Sequence, residues 1–237
     1  MIKFLSNRYV DVMDYLNSSN PREELFVYLN PFNYFYYRSR PDIQKIARYR
    51  MDGFYTNFVV SFFCDIALSP SRQSFDMTSL APKIFDYCAE KQLSIFFAGG
   101  DESEVEIFIN KIRTLNSGLK ISGYCSGYLN DADIINKIKQ SGADVVVLGL
   151  GNIKQERVGF CLIEQYKALV FTCGAFISQT ANSNVCGGAY YPGYINKLNL
   201  RWCYRFFKEP HVFTRVVKYY PKFLFQLFVD SRFDIRN

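Results

Sequence analysis

The stretch Ala143-Asp-Val-Val-Val-Leu-Gly-Leu-Gly-Asn-Ile-Lys-Gln-Glu156 constrains the fold of this chain more than any other. From Asp144 to Leu148 it is short, apolar and β-branched, which suits a strand buried on both faces of a parallel sheet. Gly149-Leu150-Gly151 then ends the run, and residues without a side chain let the backbone turn sharply and approach a ligand. Asn152, Lys154, Gln155 and Glu156 follow at the expected start of a helix. Open α/β sheets bind ligands at the carboxyl ends of their strands, and helix N-termini favour anions. The pattern also fits an ordinary strand-turn-helix corner, and without a third glycine it is not a dinucleotide fingerprint.

Further strands are expected at Leu25–Leu29, Phe58–Phe63, Leu93–Ala98, Lys120–Tyr124 and Ala168–Thr172, alternating with helices near 78–91, 102–115 and 154–166. This alternation predicts an α/β fold, a mostly parallel, Rossmann-like sheet flanked by helices. Asn30-Pro31 closes the first strand, as a plain turn or with the Asn30 amide left at the strand end. Asp52-Gly53 reads as a turn, or as a carboxylate at the rim of the sheet. Asp76 reads as the N-cap of the next helix, and Asp101 with Ser103 as capping residues of the one after. Asp131-Ala-Asp133 resembles the DxD signature of metal-dependent sugar transferases, but acids also belong at a helix start for dipole reasons. No metal site is predicted.

Composition removes several chemistries. The seven cysteines are scattered, without CxxC or metal-ligand spacing, and read as reduced thiols. The one histidine, His211, has no nucleophile turn around it, so a general base would more naturally be a carboxylate. No run reaches the ~18 apolar residues of a spanning helix, and the N-terminus turns polar too soon for a signal peptide. A cytoplasmic location is expected.

The net charge of +6 is unevenly placed: from Lys197 onward nine basic residues face three acids, while the chain before it balances at 19 each. Arg201, Arg205 and Lys208 recur at helical spacing beside aromatics, and Arg215, Lys218 and Lys222 repeat the pattern after Glu209-Pro210. The chain therefore divides into a core, residues 1–194, and a basic helical C-terminal appendage, residues 195–237. Cations interleaved with aromatics suit an anionic membrane interface or nucleic acid; a solvated helix docked through its aromatics gives the same pattern.

Taken in order, these pieces resemble the WecG/TagA/CpsF family of glycosyltransferases from about Leu25 to Phe223. Asp144 to Glu156 is similar to the family block D-hydrophobic-G-L-G-x-P-K-Q-E. Asn30-Pro31, Asp52-Gly53, Arg72 with Asp76, Phe97-Ala-Gly-Gly100 and Trp202-Cys-Tyr-Arg205-Phe-Phe-Lys-Glu-Pro210 match further blocks. Departures are Ile153 where the family has proline, Ser74 near a glycine, Ile177 for an aspartate, Tyr190 for an arginine and Arg201 for a glutamate. They bear on acceptor choice more than on chemistry.

The resemblance implies an inverting β-transfer of a sugar from a UDP-sugar to a polyprenyl-diphosphate-linked saccharide, at the inner face of the cytoplasmic membrane, in cell-surface polysaccharide synthesis. It implies Asp52 as the base, and Asn30, Arg72, Gly149, Gly151, Lys154 and Gln155 at the donor. Arg201, Arg205 and Arg215 are expected at the acceptor or membrane. No cofactor is expected, transfer is expected to be metal-independent, and a homo-oligomer is compatible with the family. Two competing readings are a catalytically inactive UDP- or lipid-binding homologue of the same fold and a nucleic-acid binder.

Overall fold

In the computed structural model, residues 5, 7–64, 74–183, 195 and 210–234 are described. Arg72, Arg201 and Arg205 lie outside them, and of Arg215 and His211 only the helical backbone is described.

The elements run α1 (Val12–Ser19), β1 (Glu24–Leu29), α2 (Tyr34–Arg38), α3 (Pro41–Ile46), β2 (Ala47–Met51), α4 (Gly53–Cys64) and α5 (Leu80–Glu90). There follow β3 (Ser94–Gly99), α6 (Glu102–Leu115), β4 (Lys120–Cys125), α7 (Asp131–Ser141) and β5 (Val145–Gly149). The chain closes with α8 (Lys154–Gln165), β6 (Leu169–Thr172), α9 (Phe176–Ala181) and α10 (Pro210–Asp234). The strands form one all-parallel six-stranded sheet in the order β2-β1-β6-β5-β3-β4. It is the expected α/β fold, with strands β1, β3, β4, β5 and β6 where the apolar runs put them.

One strand is a correction. Phe58 to Phe63 is not a strand but part of α4, and the missing strand is β2. An apolar run carries no helix-versus-strand signal by itself. β2, Ala47-Arg-Tyr-Arg-Met51, hides behind two arginines, yet Arg50 is 4% exposed with its guanidinium 4.6 Å from the Tyr9 ring centroid. A cation stacked on an aromatic face can be buried where a bare charge cannot. Asp76 is a second correction: its carboxylate accepts from the Thr78 N–H at 2.9 Å and the Thr78 hydroxyl at 2.6 Å, and α5 begins later, after Ser79. The Asp101 prediction holds, since Asp101 and Glu104 cap α6 reciprocally.

The chain divides into two compact units. One comprises residues 10–27 and 72–190. Its core is the buried faces of β3, β5 and β6, where Phe26 stacks on Phe171 at 4.7 Å and Phe97 meets Phe108 edge-on at 5.0 Å. Lys111 of α6 donates to the carbonyls of Thr180, Ala181 and Ser183, which stops α9 with a cation at its C-terminus.

The other unit comprises residues 1–9, 28–71 and 191–237. Within it α10 begins at Pro210, a residue suited to the first helical turn. Phe223, Leu227, Asp230 and Ser231 are its buried stripe. Phe223 packs edge-on against Tyr34 at 5.0 Å, Tyr220 stacks on Tyr55 at 4.7 Å, and Tyr219 meets Phe32 at 4.8 Å. Asp230 locks the register. Its carboxylate accepts from the Tyr34 hydroxyl at 2.6 Å, Arg38 Nε at 2.9 Å and Gln226 Nε2 at 2.8 Å.

Burial pushes the Asp230 carboxyl up, but the hydrogen bonds from Arg38, Tyr34 and Gln226 together outweigh it and hold it below the usual carboxylate range. A lowered carboxyl stabilises the fold above its unfolded value, near pH 4, and the contribution disappears as pH falls through the folded value. Asp230→Asn is therefore expected to lose about 1–3 kcal/mol at neutral pH. The gap to wild type is expected to close below about pH 4, in urea unfolding followed across pH.

Candidate active site

Parallel strands deliver their carboxyl ends to one edge, where the turns of the predicted site lie. In the unit of residues 72–190, Gly149 ends β5 in register with Gly99 at the end of β3. A Cβ on Gly99 would fall 2.8 Å from the Gly149 carbonyl oxygen, so the two turns approach as closely as backbone allows. Ile177, at the family's aspartate position, is fully buried and its Cδ1 lies against the Cβ positions of both glycines. Gly151, at φ +78° and facing open space, takes the chain out of β5 into a turn exposed to solvent.

The next residues fix that turn. Ile153 has φ +76° and ψ −45°, a region that β-branched residues rarely adopt. Its N–H donates to Glu156 Oε2, and Gln155 Nε2 donates to Glu156 Oε1 at 3.2 Å. Gln155 Oε1 in turn accepts from the Gly174 N–H at 3.1 Å, joining the β5 turn to the β6 turn. Both side chains are buried, Gln155 at 3% and Glu156 at 0% exposure. Lys154 Nζ donates to the carbonyl oxygens of Gly127 at 2.8 Å and Leu129 at 2.5 Å, engaging two of its three protons on the loop after β4. Gly149, Gly151, Lys154 and Gln155 thus lie at one corner. Lys154 and Gln155 act there as braces between turns, whatever else they touch.

Sequence reasoning treated Glu156 only as a polar residue of a motif, and its burial has no signature in residue type. Glu104 is another residue that the local pattern does not single out: it accepts from Ser178 Oγ and Asn182 Nδ2, both at 2.8 Å.

In the other unit, Asn30 and Asp52 are brought together at the ends of β1 and β2. The Asp52 N–H donates to the Leu29 carbonyl at 2.7 Å. Asn30 Oδ1 accepts from the N–H groups of Phe32 and Asn33, both at 3.0 Å, and Asn33 Oδ1 accepts from the Asn30 N–H at 2.7 Å. Asn30 therefore builds the turn after β1. Asp52 is exposed and is followed by Gly53.

Other candidates are accounted for. Asp131 pairs with Arg157 Nε at 2.5 Å, and Asp133 accepts from Asn130 Nδ2 at 2.6 Å while the α7 N-cap is made by Asn130. The DxD carboxylates are thus held by a helix start, and no metal-ligating cluster occurs among the described residues. Burial pushes the Cys88 thiol up to about 12 and, as the main cause, the Cys125 thiol up to about 11. Neither is a thiolate at neutral pH.

Ligands of parallel α/β sheets bind at the carboxyl ends of the strands, and many chemistries use the same fold. The sequence profile of the glycosyl transferase WecG/TagA/CpsF family matches residues 5–237, and the chain belongs to that family of glycosyltransferases. It is 30% identical over 210 residues to the UDP-Gal:alpha-D-GlcNAc-diphosphoundecaprenol beta-1,4-galactosyltransferase of Shigella boydii, covering 86% of this chain and 85% of that protein. It is 27% identical over 146 residues to the N-acetylglucosaminyldiphosphoundecaprenol N-acetyl-beta-D-mannosaminyltransferase of Bacillus subtilis (strain 168), covering 60% of this chain and 55% of that enzyme.

The Ile153 backbone gives a stability prediction. Ile153→Gly removes strain of about 1–3 kcal/mol against a glycine entropy cost of about 0.5–1 kcal/mol. The variant is expected to unfold at higher urea, by about 0.5–1 kcal/mol, while Ile153→Val, equally β-branched, is expected to leave the midpoint unchanged.

Proposed function

We propose that the protein transfers a hexose or N-acetylhexosamine from a UDP-sugar to a polyprenyl-diphosphate-linked saccharide in cell-surface polysaccharide synthesis, with inversion and without a metal. UDP-galactose is the first donor to try, because the Shigella boydii relative, similar over most of both chains, is named for it. The observation that carries the mechanism is the exposed Asp52 carboxylate, at the carboxyl end of β2 in the family's Asp-Gly position.

Inversion needs a base that takes the proton from the acceptor hydroxyl as its oxygen attacks the anomeric carbon. Asp52 is that base. The glycosidic bond to the diphosphate breaks as the new one forms, and the leaving UDP gains negative charge. Backbone N–H groups of the Gly149–Asn152 turn and the remaining proton of the Lys154 ammonium favour that charge. Asn30 shapes the turn after β1, and Gln155 keeps the donor turn in place. Arg72 is assigned to the donor on its family position, and Arg201, Arg205 and Arg215 to the acceptor diphosphate or membrane on their place in the basic C-terminal appendage. Metal independence is supported by the engagement of Asp131 and Asp133 with Arg157 and Asn130.

An acceptor carried in a bilayer calls for an enzyme at the membrane face. Among the described residues no helix is long and apolar enough to cross one, so the contact proposed is peripheral, at the cytoplasmic side, with self-association compatible.

The test is UDP release from a panel of UDP-sugars with a synthetic polyprenyl-diphosphate-sugar acceptor, with and without EDTA, for wild type and Asp52→Asn. Acceptor-dependent release from one donor, unchanged by EDTA and lowered about 10²–10⁴-fold in Asp52→Asn, is the expected result. Full activity in Asp52→Asn would remove the base assignment. Loss with EDTA would remove metal independence. UDP binding without release from any donor would favour the inactive homologue.

A further inference from the structure

Two backbone donors, the Ile153 N–H after β5 and the Gly174 N–H after β6, are joined through two side chains, Glu156 and Gln155. The Gly174 N–H donates to Gln155 Oε1 at 3.1 Å, Gln155 Nε2 donates to Glu156 Oε1 at 3.2 Å, and the Ile153 N–H donates to Glu156 Oε2. Both side chains belong to the unit of residues 72–190 and are buried, so water does not stand in for a partner lost there.

The direction of each bond in this relay is forced. A backbone N–H only donates, a carboxylate only accepts, and a carboxamide accepts on one side and donates on the other. With a donor at each end, two carboxamides in series always leave one junction where N–H faces N–H. Turning either amide over moves that junction along the relay without removing it. One carboxylate, accepting on both sides, removes it, and here it stands at position 156. Two carboxylates would leave oxygen facing oxygen in the middle. Glu156 thus fixes which way the Gln155 amide faces, and Gln155 Oε1 then holds Gly174, 19 residues further along the chain. As a helix cap alone, position 156 would accept glutamine as well as glutamate. The connection to Gly174 is what requires the carboxylate.

We infer that Glu156 is a positioning residue for the donor site, its carboxylate setting the polarity of a relay from Ile153 through Glu156 and Gln155 to Gly174 that holds the turns after β5 and β6 in one fixed relation. The use of the relay rests on the proposed UDP-sugar donor, whereas the relay itself rests on the hydrogen bonds alone. Glu156 has no exposed surface, so it acts on a donor only through its neighbours. Charge and position then make opposite predictions. A carboxylate near a diphosphate repels it, so neutralising Glu156 would tighten UDP binding on Coulomb grounds. Acting through the turns, the same change loosens binding, because the backbone N–H groups leave the places where phosphate oxygens need them.

The test compares the full wild-type chain with Glu156→Gln, with Gln155→Glu, and with both substitutions together, an exchanged pair that keeps one carboxylate and every hydrogen bond of the relay. Amide exchange is followed by NMR at neutral pH without ligand. Each single substitution is expected to speed exchange at Gly174 or Ile153 at least about tenfold, and the exchanged pair to bring both amides back to within about threefold of wild type. The Phe97 amide in β3 is the control and is expected to keep its wild-type rate. Calorimetry with UDP is expected to show binding to Glu156→Gln weakened at least about tenfold. Wild-type exchange in the single variants, an exchanged pair no better than they are, or equal acceleration at Phe97 overturns the inference. Unchanged or tighter UDP binding in Glu156→Gln overturns it as well. Where a single variant does not fold, recovery of the fold and of both exchange rates in the exchanged pair supports the relay, and no recovery overturns it. Wild type that binds no UDP removes the donor reading and the use assigned to the relay, while the exchange rates still decide whether the relay exists.

Discussion

The corner that holds the turn after β5 depends on a buried carboxylate. Glu156 has no exposed surface, and a charge without water is expensive unless hydrogen bonds replace its hydration. Here the Ile153 N–H and the Gln155 amide donate to its two oxygens, at the start of α8 where the helix dipole also favours a negative group. Those bonds are met only if residues 153–156 keep one geometry, and that geometry places Ile153 at a positive φ. The strain and the satisfied carboxylate are therefore two aspects of one arrangement. Gln155 extends it to Gly174 and Lys154 to Gly127 and Leu129, so the turns after β4, β5 and β6 are positioned together. A site assembled from three loops gains the rigidity of a scaffold this way.

How much of this was legible depended on whether burial follows residue type. β1, β3, β5 and β6 are apolar and central, so their sequences announce them. β2 is not announced, because Arg48 and Arg50 read as surface residues and the stacking of Arg50 on Tyr9 joins residues far apart in sequence. α4 misleads in the opposite sense. Its Phe58 to Phe63 run resembles a buried strand, but two of its phenylalanines face outward and apolarity there does not report a core. The glycine corner and the Asp101 cap were readable because backbone geometry and capping chemistry are local. The Gln155–Gly174 bond and the Glu104 contacts with Ser178 and Asn182 are long-range, and nothing in the local pattern signals them.

The abundance of aromatics, 23 Phe and 18 Tyr, serves two different purposes. In the sheet unit, Phe26, Phe97, Phe108 and Phe171 are fully buried or nearly so, and their edge-on and stacked pairs fill the core. In the other unit, Tyr34, Tyr55 and Phe32 receive α10, and the Phe225 and Phe228 rings of that helix stay outside. Asp230 decides which rings those are. With its carboxylate bound to Tyr34 and Arg38, the rotation of α10 about its axis is fixed, and Leu224, Phe225 and Phe228 are turned outward. A buried polar lock thus sets the orientation of an apolar surface, a specificity role that apolar packing alone fills poorly.

Pro221 fits the same arrangement. Inside a helix a proline removes one backbone donor and leaves the carbonyl four residues earlier, here Val217, without its usual partner. Buried, that loss would cost a few kcal/mol. Val217 is 60% exposed and Pro221 is exposed as well, so water can hydrate the carbonyl and the helix tolerates the residue.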